Sequence, residues 1–151
     1  MVDDDDYDEL NAAKWGVSSG YCYKSIGRAE TISMHRVLMG LKKFDKMQVD
    51  HIDRNGLNNQ RSNLRLATHS QNALNKPAGR NHPTGLKGIL LPVATGLFVV
   101  RVKSKTVGQW GNLRDAVCQY NDEARKAHGE FALQHDYDCA ALEDIERRLR
   151  A

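Results

Sequence analysis

Short apolar runs alternate with polar clusters in the first half of the chain, and their order predicts two strands and a helix. The strand runs cover residues 47–49 and 64–66, each with its apolar side chains on one face. Thr68, followed by Gln71 three residues later, is a capping-box pattern that marks the start of the helix. Pro77 ends it, because proline lacks the backbone N–H that a helix interior requires. The region therefore predicts a strand–loop–strand–helix (ββα) unit.

The period changes in the second half, where residues 97–103 alternate between an apolar face and a mixed face. A candidate first strand lies at residues 87–89, and residues 106–107 belong to a third strand after a tight connection. Asn112 is suited to cap a helix and Gly129 to end it, with apolar side chains along one face between them. These elements predict a compact unit of three strands and one helix.

The chain of 151 residues can form one modest core or two very small ones, and the patterns favour two. The expected fold class is α+β. The expected segments are a disordered acidic head at 1–13, the ββα-containing unit at 14–77, a linker at 78–83, the three-stranded unit at 84–135 and a C-terminal helix at 136–151. That last helix is amphipathic by its spacing; it could dock on the second unit or pair two chains, and docking on the second unit is the expectation.

Charge is unevenly distributed along the chain. The formal net charge is +3, but six of the first ten residues are acidic. Outside them, 22 Lys and Arg residues face 13 Asp and Glu residues, so residues 11–151 carry a formal charge of +9. A body of that sign gains affinity for nucleic acid by releasing counterions. The acidic head is expected to be a solvated tail, since blocks of like charge repel internally.

Residues 35–77 resemble the HNH nucleases, in particular the homing endonucleases of phages and introns. The phrases VDHID, LNN, NLR and SQN follow one another at that family's spacing, and His51, Asn63 and Asn72 carry the resemblance. Asn72 stands where the name of the family has histidine, a replacement that is common in the homing branch. The resemblance implies a ββα-metal nuclease in which Asn63 braces the loop between the strands and His69 can contact the phosphate.

The residue types in this stretch suit phosphodiester hydrolysis, which needs a base for the proton of the attacking water and positive charge at the phosphate. Histidine ordinarily titrates at about 6.5, which makes His51 the candidate base. Asp50 and Asn72 offer hard oxygens for Mg²⁺ or Mn²⁺, with one ion per active site. Neighbours on a strand face opposite sides, so Asp50 and His51 can share one site only if the strand ends or bulges there.

Each of these residues also has a structural interpretation. A single His–Asp neighbour pair is usually a surface pair, and Asn63 could simply cap the second strand. His69 could be a first-turn residue on a solvated helix face, and His35 is expected to be a packed structural histidine. Asn58 and Asn59 are expected to make turn hydrogen bonds. The functional interpretation depends on all the phrases occurring in order.

The second half resembles the AP2 DNA-binding domain through the phrases TGLKGI, GLFVVRV, VGQW, YNDEA and HGEFA. In that family the sheet enters the major groove, which implies that Arg101, Lys103 and Lys87 face DNA in this chain. A solvated strand face is the plain alternative for these cations. Trp110 falls at the position of a core aromatic, and we expect it to pack rather than to stack on bases.

Together these features predict a metal-dependent endonuclease that acts on double-stranded DNA as a monomer or weak dimer and nicks one strand per monomer. The main alternative is a DNA-binding regulator that keeps the HNH fold without its activity. Another is a packaging-associated nuclease with little sequence preference. Intact Asp50, His51 and Asn72 favour the active enzyme.

The three cysteines, Cys22, Cys118 and Cys139, are far apart and lack the spacing of zinc ligands. Their odd number, and a chain start that is acidic rather than basic and then apolar, predict free thiols in the cytoplasm, that of the host cell if the gene is phage-borne. No apolar run approaches membrane-spanning length, so a membrane is not expected among the partners.

Overall fold

The computed structural model describes residues 1–151 and divides them into two compact units, Met1–Asn75 and Lys76–Ala151. The first unit contains, in chain order, α1 (Asp4–Asn11), β1 (Gly16–Ser18), β2 (Tyr21–Gly27), β3 (Glu30–Ser33), α2 (Met34–Leu38), β4 (Gln48–His51), a 3₁₀ turn (Arg61–Asn63), β5 (Leu64–Ala67) and α3 (His69–Asn75). The second contains β6 (Ile89–Leu90), β7 (Phe98–Val102), β8 (Lys105–Trp110), α4 (Leu113–His128), a 3₁₀ turn (Gly129–Phe131) and α5 (Cys139–Arg150). The architecture is mixed, with small antiparallel sheets and short helices.

Two separate sheets organise the first unit. Strands β1, β2 and β3 form one antiparallel sheet in chain order, and β4 pairs with β5 to form the other. The unit has a small core made of Leu10, Met34, Leu38, Val49 and Leu64. This core joins α1, α2, β4 and β5, so the strand that carries the candidate residues is fixed from several sides.

Helix α3 begins with the reciprocal capping box that its sequence predicts. The backbone N–H of Thr68 donates to Gln71 Oε1 at 2.8 Å, and the backbone N–H of Gln71 donates to Thr68 Oγ1 at 3.2 Å. The helix ends at Asn75, two residues before Pro77. The predicted two strands and helix are therefore present as β4, β5 and α3.

The acidic head is not disordered, and that expectation was wrong. Residues 4–11 form α1, in which Asp6 is buried and Leu10 joins the core. The Asp6 carboxylate accepts hydrogen bonds from Arg61 Nε and Nη2 at 2.8 and 2.6 Å. Arg61, which is distant in sequence, thus neutralises the buried charge of Asp6. Burial of Leu10 adds apolar stabilisation.

In the second unit, β6, β7 and β8 form an antiparallel sheet in that order. The predicted alternation along β7 holds, since Phe98, Val100 and Val102 are buried while Arg101 is exposed. The buried face of β7 packs against α4, whose core side chains are Leu113, Ala116, Val117, Tyr120 and Ala124. Trp110 is partly buried against the same cluster, as expected of a packing aromatic.

Helix α5 docks on α4 within the second unit. Leu142 is buried in the shared core, and Glu146 accepts a hydrogen bond from the backbone N–H of Leu113 at 2.7 Å. Asp138 caps α5 by accepting from the backbone N–H of Ala141 at 2.7 Å. The sequence expectation of intramolecular docking therefore holds. None of the helices is both long enough and apolar enough to span a membrane.

Candidate active site

Strand β4 carries the two adjacent candidate residues, Asp50 and His51, on opposite faces. The strand ends at His51, yet its pairing with β5 is regular through both residues, with Asp50 opposite Arg65 and His51 opposite Leu64. In a regular strand successive side chains alternate between faces. No bulge turns both side chains to one side, and each has its own set of partners. The strand does end at His51, however, which is the other condition under which the two residues can serve one site.

His51 is enclosed by polar and aromatic groups and is 5% exposed. Its Nε2 lies 3.2 Å from Asn59 Oδ1. Its ring lies edge-on to that of His35 at 5.0 Å between centroids, and 5.8 Å from the ring of Tyr21. Gly56 closes this side, because a Cβ there would come within 2.6 Å of the Tyr21 ring. The imidazole is therefore held in one orientation.

The contact with Asn59 selects the tautomer of His51. Asn59 directs its Nδ2 towards the Gly56 carbonyl at 3.5 Å, which leaves Oδ1 facing His51. Since a carboxamide oxygen only accepts hydrogen bonds, the proton of a neutral His51 belongs on Nε2. The lone pair then lies on Nδ1. That nitrogen is the atom able to take a proton from water.

His35 packs against His51 without adding positive charge at neutral pH. Burial, the neighbouring His51 and then Arg36 lower the pKa of His35 to about 4. Its Nε2 lies 2.9 Å from the Ser33 hydroxyl, while its Nδ1 is buried without a hydrogen-bond partner. The predicted structural histidine thus forms one wall of the base's pocket.

Asn63 ties together the loop between β4 and β5. Its Oδ1 accepts from the backbone N–H of Asp53 at 2.9 Å, and its Nδ2 donates to the Asn58 carbonyl at 2.8 Å and to Asp53 Oδ1 at 2.9 Å. Burial alone would raise the pKa of Asp53, but hydrogen bonds from Asn58, Asn55 and Asn63 hold it below its usual value. The loop that leads to Asn59 is therefore ordered by carboxamides.

On the other face of β4, Asp50 is already paired. Its carboxylate accepts from Arg65 Nε at 2.9 Å and Nη2 at 2.6 Å, and both oxygens lie near Asn75 Nδ2, at 3.1 and 3.2 Å. Asn72 instead donates to Gln48 Oε1 at 2.7 Å. Asn75, and not Asn72, is therefore the carboxamide in hydrogen-bond contact with Asp50.

Two of these residues, Arg65 and Asn75, escaped the sequence analysis although signals for both exist. Asn75 lies three residues after Asn72 on one helix, a spacing that places two side chains on the same face. Arg65 is the cross-strand neighbour of Asp50, a pairing that follows once the register of β4 and β5 is known. Helix spacing alone indicates Asn75, whereas Arg65 can be found only once the register of β4 and β5 is known.

The donor atoms on this face suit a hard divalent ion. The Asp50 carboxylate and the Asn72 carboxamide are oxygen donors of the kind that Mg²⁺ takes alongside several waters. No group of three or more His, Cys, Asp or Glu side chains lies close enough together to hold an ion. Arg65 neutralises the sole carboxylate, so an ion at Asp50 would have to displace or share that arginine.

His69 is the first residue of α3 and is exposed. It lies at the start of the helix that carries Asn72 and Asn75. A side chain exposed at that point is open to a ligand that approaches from solvent. Its role as a phosphate contact therefore stays a prediction.

The predicted DNA-facing cations of the second unit do not share one sheet face. Arg101 is exposed on β7, and its Nη2 donates to the Ser104 carbonyl at 3.1 Å. Lys103 lies beyond the strand, in a two-residue turn with Ser104, and both have positive φ, 49° and 62°. The alternation cannot be extended through a turn, so placing Lys103 on the face of Arg101 was wrong.

Lys87 also lies outside the sheet, because β6 begins only at Ile89. Its Nζ donates to the Lys76 carbonyl at 3.0 Å. Burial and then the neighbouring Lys76 lower its pKa. The predicted first strand at residues 87–89 is therefore shifted, and Lys87 is engaged with the chain segment that opens the second unit.

Residues 40–74 match the HNH endonuclease family. The chain is also similar to an uncharacterized HNH endonuclease of Acanthamoeba polyphaga mimivirus, with 34% identity over 114 residues, which are 71% of this chain and 59% of that protein. The chain thus spans about three fifths of the length of that curated relative. No solved structure matches the chain. The matched segment contains β4, β5 and nearly all of α3, so the similarity to HNH endonucleases lies in the two strands and helix of the first unit.

Proposed function

We propose that the protein is a metal-dependent DNA endonuclease of the HNH type, in which His51 is the general base. One observation carries this proposal. A buried histidine inside the matched segment has one ring nitrogen held by a carboxamide oxygen, which leaves the other nitrogen ready to accept a proton. A histidine held in this way takes a proton from water without rotating.

Several neighbours support that base. His35 is neutral at neutral pH, so it does not oppose the positive charge that His51 acquires when it takes the proton. Asn63 holds the loop on which Asn59 lies. His69, which is exposed at the start of α3, is proposed to contact a phosphate of bound DNA.

Asp50 and Asn72 would hold one Mg²⁺ or Mn²⁺, with Asn75 as a further carboxamide beside Asp50. When bound, such an ion stabilises negative charge on the phosphate and the leaving oxygen. Arg65 would then leave Asp50 or share it, and its guanidinium could pair with a phosphate instead. In the absence of the ion, Arg65 therefore balances the charge of the Asp50 carboxylate.

The second unit is proposed to supply DNA affinity and sequence preference in the manner of an AP2-like domain. Its support is an exposed Arg101 on a three-stranded sheet and Lys103 at the tip of the β7–β8 hairpin. Arginine can read guanine through two hydrogen bonds, and lysine at a hairpin tip can contact phosphate. One nuclease unit per chain would cut one strand at a time, and a homing role would follow from site-specific cutting.

A second candidate is a DNA-binding regulator with an inactive nuclease fold, which the Asp50–Arg65 pair favours because it occupies the only carboxylate of the proposed metal site. Incubation of supercoiled plasmid with the protein, in EDTA and then in Mg²⁺ or Mn²⁺, separates the two. We expect nicked circles only when the ion is present. Binding without cutting under any divalent ion would favour the regulator, and cutting in EDTA would refute the metal site.

A further inference from the structure

The N-terminal acidic segment holds the loop on which Asn59 lies. The Met1 carbonyl accepts from the backbone N–H of Asn59 at 2.8 Å. Asp3 accepts from the backbone N–H of Arg61 at 2.7 Å and lies 3.4 Å from Gln60 Nε2. These contacts bind three consecutive loop residues to a segment more than fifty positions away in the sequence.

An ion pair between a buried carboxylate, Asp6, and the largely exposed Arg61 anchors this connection. Asp6 is 6% exposed and takes two hydrogen bonds from Arg61, whose Nη1 also donates to the Leu38 carbonyl at 3.2 Å. Arg61 therefore links α1, the loop and the end of α2. A two-pronged arginine–carboxylate bond fixes orientation as well as distance.

Asn59, two residues before Arg61, is the loop residue that contacts His51. Asn59 is 1% exposed, its backbone N–H is taken by Met1, and its Oδ1 faces His51 Nε2. Any slip of the segment 59–61 would move that oxygen away from the imidazole. The chain of contacts thus runs from an acidic helix to the ring nitrogen that determines where the His51 proton lies.

We propose that the acidic segment, residues 3–6, acts as a positioning clasp that holds Asn59 and, through it, keeps the lone pair of His51 on Nδ1. The proposal rests on the proposed function only for its kinetic consequence, because the tautomer of His51 can be measured without cleavage. Asp3 and Asp6 are positioning residues, since they touch neither His51 nor the substrate site. The acidic composition of the head then has a use other than solvation.

The test compares Asp6→Asn with Asp5→Asn in the full chain. Both substitutions remove one negative charge from the same helical turn, but Asp5 is exposed and Asp6 binds Arg61. The ¹⁵N chemical shifts of the His51 ring nitrogens report which of them carries the proton. We expect Asp6→Asn to shift His51 towards a mixture of tautomers and Asp5→Asn to leave it unchanged.

Cleavage kinetics give the second measurement. A misplaced base should lower kcat by about 10- to 100-fold with little change in KM, because the clasp does not bind DNA. Asn59→Leu should lower kcat in the same way, and adding Asp6→Asn to it should cause little further loss. Exchanging the charges, with Asp6→Arg and Arg61→Asp together, should restore part of the rate.

Three results would overturn the clasp. One is a His51 tautomer that is the same in Asp6→Asn and the wild type, and another is an equal fall in kcat for Asp5→Asn. The third is faster cutting or tighter DNA binding in Asp6→Asn, which would show that the acidic head masks Arg61 instead. Should Asp6→Asn not fold, Asp3→Ala removes the acceptor of the Gln60 and Arg61 contacts while leaving the Asp6–Arg61 pair intact, and it is judged by the same tautomer measurement. A wild-type protein that does not cut would refute the proposed function but leave that measurement decisive for the clasp.

Discussion

The polar side chains on the two faces of β4 differ in how far their hydrogen-bonding atoms are already occupied. On one face, the imidazole of His51 has one hydrogen-bond partner, Asn59, which leaves the lone pair of its other nitrogen available. On the other, Asp50 has its charge neutralised by Arg65 and its oxygens covered further by Asn75. The proposed base is therefore ready before any ligand arrives, whereas the proposed metal ligand must first lose a partner. Adjacent residues in a strand can thus be prepared to different degrees, because they belong to different surroundings.

Removing the base should give the largest effect. His51→Ala should cut DNA about 10²–10⁴-fold more slowly, the usual loss for a positioned base, and should bind DNA as the wild type does. Plasmid nicking and a duplex-binding titration measure the two quantities, with circular dichroism as the check on folding. A well-folded His51→Ala protein that cuts at the normal rate would exclude His51 as the base.

Removing Arg65 from the Asp50 face of β4 should lower stability and strengthen ion binding. Arg65→Met leaves the buried Asp50 charge without its cation and should lower the free energy of unfolding by about 3 kcal/mol. It should also raise the affinity for Mn²⁺, since the ion no longer competes with the guanidinium. Chemical denaturation and calorimetric titration test this, with the exposed Arg28→Met as the matched control. Unchanged or weaker Mn²⁺ binding would mean that Asp50 is not a metal ligand.

Acidification should affect the base side through His35. Its pKa is about 4 in the folded protein and about 6.5 in an unfolded chain, so the unfolded chain takes up the proton first. The free energy of unfolding should therefore be highest above about pH 6.5 and should fall as the pH is lowered from 6.5 to 4. The expected fall is about 2 kcal/mol, a value reduced because the ring is not fully buried. Denaturation of the wild type and His35→Gln across that range measures the difference. Parallel pH profiles would contradict it.

The smallest effects are expected in the second unit, where two cations have different positions. Arg101→Ala should reduce discrimination at one base pair by about 1 kcal/mol, near the lower end for such contacts because its guanidinium also serves Ser104. Lys103→Ala should weaken all duplexes alike and reduce the slope of log affinity against log salt by about 1. Competition titrations at several salt concentrations distinguish them. If both variants lost affinity equally on every sequence, neither residue would read a base.

Local patterns predicted the elements that depend on nearby residues. The capping box of α3 and the alternation of β7 involve neighbours in sequence, so their signals are complete within a few residues. The Asp6–Arg61 pair joins positions 55 apart, and no local pattern shows that an acidic block will meet its arginine. Asn59 was assigned to a turn because nothing in the sequence tells that its oxygen faces His51. Lys103 was assigned to the wrong position because the alternating pattern of β7 extends to residue 103 in the sequence, whereas the strand ends at Val102 and the chain turns.

One carboxamide links the two faces that otherwise differ. Asn75 Nδ2 has two hydrogens but lies near four acceptor atoms, namely both oxygens of Asp50 at 3.1 and 3.2 Å and the carbonyls of His51 and Ile52 at 2.9 and 3.4 Å. An ion that takes oxygens of Asp50 would leave those hydrogens to the carbonyl of His51. Thermodynamic linkage makes such a coupling reciprocal. If ion binding changes the free energy of holding or protonating His51, then displacing or protonating His51 changes the free energy of ion binding by the same amount. Proton uptake at the base and ion binding across the strand would then obey one coupling constant.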